Sequence, residues 1–163
     1  MTPLLNGLVE ALRAAFADRV LGVEEFRGDV TVLAEASAVA DIAGFLRDNP
    51  LCPFDLCEDV FAIDQYRTPR RFEVKYHFFA VRNRVRIHIK TAVDEGDPRV
   101  PSIAAVYPAA LFGEREAFDM MGIVFTGHPD LRRIYMPEDF AYHPLRKDFP
   151  LMGIPGSLTL PER

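Results

Sequence analysis

A chain of 163 residues and 18.4 kDa can bury one substantial core and is too short for two ordinary domains. With 49% hydrophobic and 26% charged residues and a mean hydropathy of +0.02, it falls outside the disordered and fibrous classes and reads as a folded, water-soluble body. The formal net charge of −5 at pH 7 argues against nucleic acid as the partner of the whole chain.

The first 16 residues lack the basic start, long apolar run and small-residue cleavage site of a secretory signal, so they are expected to belong to the mature fold in a cytoplasmic compartment. No apolar run approaches the roughly 18 residues of a membrane span. The most apolar stretch, 103–112, is broken by Pro108. Thr2 followed by Pro3 opens a helix, because the hydroxyl accepts an orphan N–H and proline needs none. Leu4, Leu5, Leu8, Leu12, Ala15 and Phe16 then recur at helical spacing, which predicts a helix over 2–17. The β-rich runs 20–26 and 30–34, separated by Arg27, Gly28 and Asp29, predict a hairpin. Ser37 is placed to cap a second helix that lines up Val39, Ile42, Ala43 and Leu46 and ends at Asn49–Pro50. Strands are expected at 59–63, 72–82 and 84–92, the last two joined around Asn83. In them Phe72, Val74, Tyr76, Phe78 and Ala80 alternate with Glu73, Lys75 and His77, and Val85, Ile87 and Ile89 with Arg84, Arg86, His88 and Lys90. One sheet face is apolar and the other basic.

This order predicts an α+β fold, a two-layer domain of helices on a mainly antiparallel sheet, followed by an extended Pro-rich C-terminal arm. The first unit covers 1–125 and includes a helix junction at 102–121, with 102–107 and 109–121 helical on either side of Pro108. The arm, 126–163, contains Pro129, Pro137, Pro144, Pro150, Pro155 and Pro161, which leave little room for regular structure. It also carries Leu131, Ile134, Tyr135, Met136, Phe140, Leu145, Phe149, Leu151 and Met152, which need a surface to lie on.

Four features could carry chemistry. Cys52 and Cys57 stand in a C-x4-C spacing with no second pair, too few ligands for zinc or an iron–sulfur cluster, and read as small hydrophobes. Glu114, Arg115, Glu116 and Asp119 crowd the last helix, with Glu116 and Asp119 at i and i+3. That pair could hold a metal or act in acid–base catalysis, but no histidine joins it in the helix, and pairing of the carboxylates with Arg115 in a buried or interface network is preferred. His128–Pro129 is followed by Arg132 and Arg133, and His143–Pro144 by Arg146 and Lys147. Metal-ligand spacing is lacking, so hydrogen bonds that fix the arm's path are the expected role. Between residues 67 and 90, eight cations face Glu73 alone. This stretch, with His77, His88 and Phe79, reads as a steering patch, a solvated face or, less readily, an RNA platform. No phosphate loop, G-x-S-x-G elbow or H-E-x-x-H motif occurs.

Three blocks carry a further reading: Glu114-Arg-Glu-Ala-Phe-Asp119-Met-Met-Gly122-Ile, Gly127-His-Pro-Asp-Leu131-Arg-Arg-Ile134 and His143-Pro-Leu145-Arg-Lys-Asp148-Phe-Pro150. In order and spacing they resemble the 30 kDa subunit family of respiratory complex I, the C subunit of bacterial NADH-quinone oxidoreductase. The resemblance implies a non-catalytic scaffold subunit of the peripheral arm of a proton-translocating complex that passes electrons from NADH to quinone. It implies no cofactor or metal in this chain, with iron–sulfur clusters, FMN and quinone in partner subunits. It places the chain on the cytoplasmic side of the bacterial inner membrane, against the quinone-site subunit and neighbouring iron–sulfur subunits. Glu114, Arg115, Glu116 and Asp119 would anchor the helix junction. His128, Pro129, Leu131, Arg132, Arg133, His143, Pro144, Leu145, Arg146, Lys147 and Asp148 would belong to stretches wrapping a neighbour. An equivalent subunit of a ferredoxin-linked or membrane-bound hydrogenase complex is the alternative, and a stand-alone RNA-binding module a distant one.

Overall fold

A computed structural model describes residues 2–153, so positions 154–163 of the expected arm lie outside the described residues. The elements in chain order are α1 (Pro3–Phe16), β1 (Val20–Phe26), β2 (Asp29–Ala34), α2 (Val39–Arg47), β3 (Leu56–Asp64), β4 (Phe72–Ala80), β5 (Val85–Val93), β6 (Arg99–Pro101), α3 (Ala110–Met121) and β7 (Val124–Thr126). The first helix starts as its sequence dictates, with the Thr2 hydroxyl accepting the Leu5 N–H and Pro3 in the first turn.

The main sheet has the order β1-β2-β5-β4-β3. All neighbours are antiparallel except β2 and β5, which run parallel from Thr31↔His88 to Leu33↔Lys90. The fold is therefore α+β with a mixed, mostly antiparallel sheet. Its apolar face carries Val30 and Val32 from β2, Phe72, Val74, Tyr76 and Phe78 from β4, and Ile87 and Ile89 from β5, packed in one core with Leu5, Leu8 and Leu12 of α1 and Ile42 and Leu46 of α2. A bulge between Cys57 and Asp59 resets the register of β3, so that Cys57 and Val60, three apart, are both buried. Against this strand lies α3. A Cβ on Gly113 would meet the Val60 carbonyl at 2.6 Å, so only glycine allows so close an approach.

Several expectations are corrected. Ser37 does not cap α2, because it lies inside a 3₁₀ turn, Ala36–Ala38, that leads directly into the helix. Instead Asn49 closes the other end, its side chain accepting the N–H groups of Leu51 and Cys52. Residues 102–107 form no helix. The Ser102 N–H bonds Thr126, which keeps the chain extended there, and Pro108 disfavours a helical Tyr107. One turn remains, closed by the Val106 and Tyr107 N–H groups on the Ile103 carbonyl. The third strand begins at Leu56 rather than 59. A second sheet, unexpected from the sequence, pairs β6 with β7 in parallel from Arg99↔Val124 to Pro101↔Thr126. From residue 127 to 153 the described chain forms neither helix nor strand.

Candidate functional site

The segment after β7 folds back over α3 and the β3–β4 end of the sheet. Four sets of contacts hold it, beginning at the middle of the helix. Glu114 is fully buried and accepts the Ser102 hydroxyl and the Ile103 N–H. Above it, the His128 Nδ1 accepts the Asp130 N–H at 3.0 Å, so the ring proton sits on Nε2, which donates to the Leu111 carbonyl at 3.1 Å. His128 is thereby a strut between the arm and α3, 4.0 Å from the Glu114 carboxylate.

Burial pushes the Glu114 carboxyl up to about 7, against the opposing pull of Ser102 and the Ile103 N–H. The unfolded group titrates near 4.5, so between these values the fold keeps a proton that the unfolded chain releases. Its contribution to stability therefore falls as pH rises from 4.5 to 7. Glu114→Gln can accept from Ile103 and donate to Ser102 at every pH. We expect it to remove that slope and raise stability at pH 8 by about 1–3 kcal/mol. Urea unfolding at pH 5 and pH 8 checks this, and identical pH slopes in variant and wild type would contradict it.

The second set centres on Asp119, also fully buried. Its Oδ2 accepts three consecutive backbone N–H groups, Ile134 at 3.0 Å, Tyr135 at 2.7 Å and Met136 at 3.0 Å, while Oδ1 takes Arg133 at 2.6 Å. Burial alone would raise this carboxyl, but the Met136 and Tyr135 N–H groups, Arg133 and the Ile134 N–H together hold it below the usual range. Arg115 differs from expectation: among the described residues its guanidinium pairs with no carboxylate but donates to the carbonyls of Arg132 and Arg133, both at 3.1 Å. Glu116 stands at the surface with the Tyr135 hydroxyl 3.2 Å away. The Glu116–Asp119 pair is thus split between solvent and interior.

The third set caps α3. The last carbonyls of a helix lack intrahelical donors, and here each of the final three finds one in the arm. His143 Nδ1–H donates to the Asp119 carbonyl at 2.9 Å, the Leu145 N–H to Met120 at 3.1 Å and Arg146 Nε to Met121 at 2.7 Å. Burial lowers the His143 pKa and keeps the imidazole neutral. Gly122 makes this possible. It has φ +80°, and a Cβ there would lie 2.6 Å from His143 Nε2 and 2.5 Å from an Arg146 nitrogen.

The fourth set ties the arm to the sheet. Arg71, almost fully buried, forms bidentate pairs with Asp64 (3.0 and 2.8 Å) and with Asp148 (3.0 and 2.8 Å), and reaches Glu95 at 2.6 Å. The Lys147 N–H adds a 2.8 Å bond to Asp64, and Arg146 stacks on Phe72. Sequence reasoning missed Asp64 and Glu95 and placed Arg71 in the basic stretch. A carboxylate closing the apolar run 60–63, seven residues before an arginine, was the available signal.

Facing outward are Tyr135, Tyr142 and Leu145, between half and two-thirds exposed. Phe140, Tyr142 and Phe149 form an aromatic cluster beside them. Leu131 packs on the core, Pro144 is half-buried, and Pro129 and Lys147 are exposed. Arg132 pairs with Asp130 at the surface. Four of the eight cations of the basic stretch are paired in three dimensions with carboxylates from outside it: Arg86 with Glu58, Arg70 with Glu35, Lys90 with Glu24 and Arg71 as above. Both cysteines are buried and unpaired. Among the described residues, no group of three or more His, Cys, Asp or Glu is arranged to hold a metal ion, and no helix is long and apolar enough to cross a membrane.

Fold and site together define an α+β protein whose C-terminal segment is pinned to its own third helix by structural charge networks. The chain belongs to the family described as the 30 Kd subunit of respiratory-chain NADH dehydrogenase, which matches residues 32–155. Among its relatives, the C subunit of the NADH-quinone oxidoreductase of Roseiflexus sp. (strain RS-1) is 50% identical over 144 residues, 88% of this chain and 83% of that one. A trypsin-resistant fragment (1-134) of Nqo5 superposes with a TM-score of 0.63 at 28% identity, over 78% of this chain and 98% of the fragment. A chain of the membrane-bound sulfane sulfur reductase, an archaeal respiratory membrane complex, superposes with a TM-score of 0.75 over 91% of this chain and 87% of that one. At 22% identity this last likeness bears on the fold alone.

Proposed function

We propose that this chain is a scaffold subunit, without redox chemistry of its own, in the peripheral arm of a proton-translocating NADH-quinone oxidoreductase. It sits on the cytoplasmic side of a bacterial inner membrane, against the quinone-site subunit and neighbouring iron–sulfur subunits, which hold the clusters, FMN and quinone. The reading divides the chain into a body, 1–125, and a partner-binding arm, 126–163. Its main support is the pinned arm. Asp119, His128, His143, Arg146 and Asp148 are occupied in holding the arm in place, so the ordering entropy of a docking segment is met within the subunit. Partner contact then falls to the outward side chains Tyr135, Tyr142, Leu145 and Lys147.

Affinity purification of the tagged chain from its native membranes should recover a multisubunit assembly with NADH:quinone activity. Leu145→Asp combined with Lys147→Ala, which leaves every contact within the arm's four anchoring sets in place, should lower recovery of the quinone-site subunit about tenfold. Undiminished recovery by this variant, or recovery of the wild-type chain alone in mild detergent, would refute the proposal.

A further inference from the structure

The histidines of the arm are engaged, but the other two are not. His77 of β4 and His88 of β5 stand directly opposite each other in the antiparallel ladder. Their rings lie 4.1 Å apart between centroids. Both strands are internal to the sheet, so the pair rests on a rigid platform. Neither imidazole makes a hydrogen bond among the described residues, and His88 Nδ1 is buried without a partner. An unpaired buried polar atom at the centre of a sheet calls for a physical reason.

The surroundings suit a cation that takes nitrogen ligands. The two rings form the floor of an open cavity of about 360 Å³ on the solvent side of the sheet, lined also by Phe26, Asp29, Phe61 and Lys75. Phe61 meets the His77 ring edge-on at 5.1 Å and restricts its rotation. Asp29 and Glu58 bias both rings toward accepting positive charge, Asp59 does so for His77, and Lys75 opposes them. Burial outweighs these charges and lowers both pKa values, which keeps the imidazoles neutral and their lone pairs available near pH 7. An ion bound at about 2.0–2.1 Å by two imidazole nitrogens holds them roughly 3 Å apart, within reach of two rings so placed.

We propose that His77 and His88 form a two-histidine chelate for a divalent transition ion of the zinc, nickel and copper class. Water completes its coordination, and the ion staples β4 to β5 on the face opposite the helices. With two protein ligands the site is exchangeable, unlike a closed four-ligand structural zinc site. Thiolate competition is weak, since burial raises the Cys52 thiol and pushes Cys57 up to about 12.

Calorimetric titration of the metal-stripped full chain with zinc or nickel chloride tests the site. One ion per chain with a micromolar dissociation constant is expected, together with a higher melting temperature in excess metal. His77→Gln and His88→Gln should each weaken binding by about tenfold or more. In the unsubstituted chain, copper should give an electron paramagnetic resonance signal split by two nitrogens, a readout that does not depend on the variants folding. Binding that survives in the double variant, a signal without nitrogen splitting, or no binding below 1 mM metal would overturn the assignment.

Discussion

Asp119→Ala is expected to destabilise the protein by about 3–5 kcal/mol and to free the chain beyond residue 127. The variant removes a buried carboxylate that Ile134, Tyr135, Met136 and Arg133 all bond. Three N–H groups then lose their acceptor, Arg133 keeps only the Asp119 and Tyr142 carbonyls, and each unsatisfied buried donor costs about 1–3 kcal/mol. The arm can recover part of this only by leaving the helix for water, which also uncaps the end of α3. Asp119→Asn should lie between wild type and alanine, because one carbonyl oxygen cannot serve four donors and the amide turns its own N–H groups toward them. Urea unfolding gives the loss of stability. Trypsin gives the loss of order, through faster cleavage after Arg132 and Arg133. Cleavage at the wild-type rate in the alanine variant would refute the role assigned to Asp119.

Arg71→Met is expected to cost a similar amount, about 3–5 kcal/mol at pH 7, by a different route. Asp64 is almost fully buried, and without the guanidinium it would keep only the N–H groups of Tyr66 and Lys147. Bonding to Arg71, against the opposing effect of burial and with help from Lys147 and Tyr66, holds the Asp64 carboxyl down to about 2. A depressed folded pKa means stability that is complete above the unfolded value near 3.8 and is lost as pH falls through about 2. This contribution is worth about 2 kcal/mol. Removing Arg71 raises the carboxyl, so the variant's deficit should be largest at pH 7 and shrink toward pH 3, where the variant's Asp64 is protonated. Asp64→Leu with Arg71→Met should recover much of the loss, since an apolar pair of similar size avoids the buried charge. A deficit independent of pH, or a double variant as unstable as the single, would show that Arg71 acts by packing on Tyr66 and Phe72.

These networks mark where sequence reasoning ended. Elements with a strong period were legible: the leucines of α1, the alternation of β4 and β5, and α3 up to Gly122 all fall where the pattern puts them. The hairpin β1–β2 was legible from its turn. By contrast, β6 and β7 are three residues each and carry no period, and their pairing closes a loop over α3. The parallel join of β2 to β5 lies between segments more than fifty residues apart, a distance at which pattern carries no information. The candidate site divides in the same way. Residues 114–119 and 128–148 stood out as charged blocks, but Arg115 faces carbonyls, since the chain that meets it arrives backbone first. The opposition of eight cations to one carboxylate along the sequence is reduced once Glu24, Glu35 and Glu58 are brought beside three of them.

The capping of α3 by residues 143–146 also bears on how the protein is made. Synthesis proceeds from the N-terminus, and early segments can fold as they emerge. Among the described residues all seven strands and three helices are complete by Thr126, yet the carbonyls of Asp119, Met120 and Met121 await donors some twenty residues further on. A product broken off before His143 would contain each of these elements and still have an open helix end, and Arg71 would lack Asp148. Such a copy is less stable, opens more often and is cut sooner by cellular proteases. Segment 143–148 therefore supplies contacts that the earlier elements need, and copies that lack it are expected to be degraded faster.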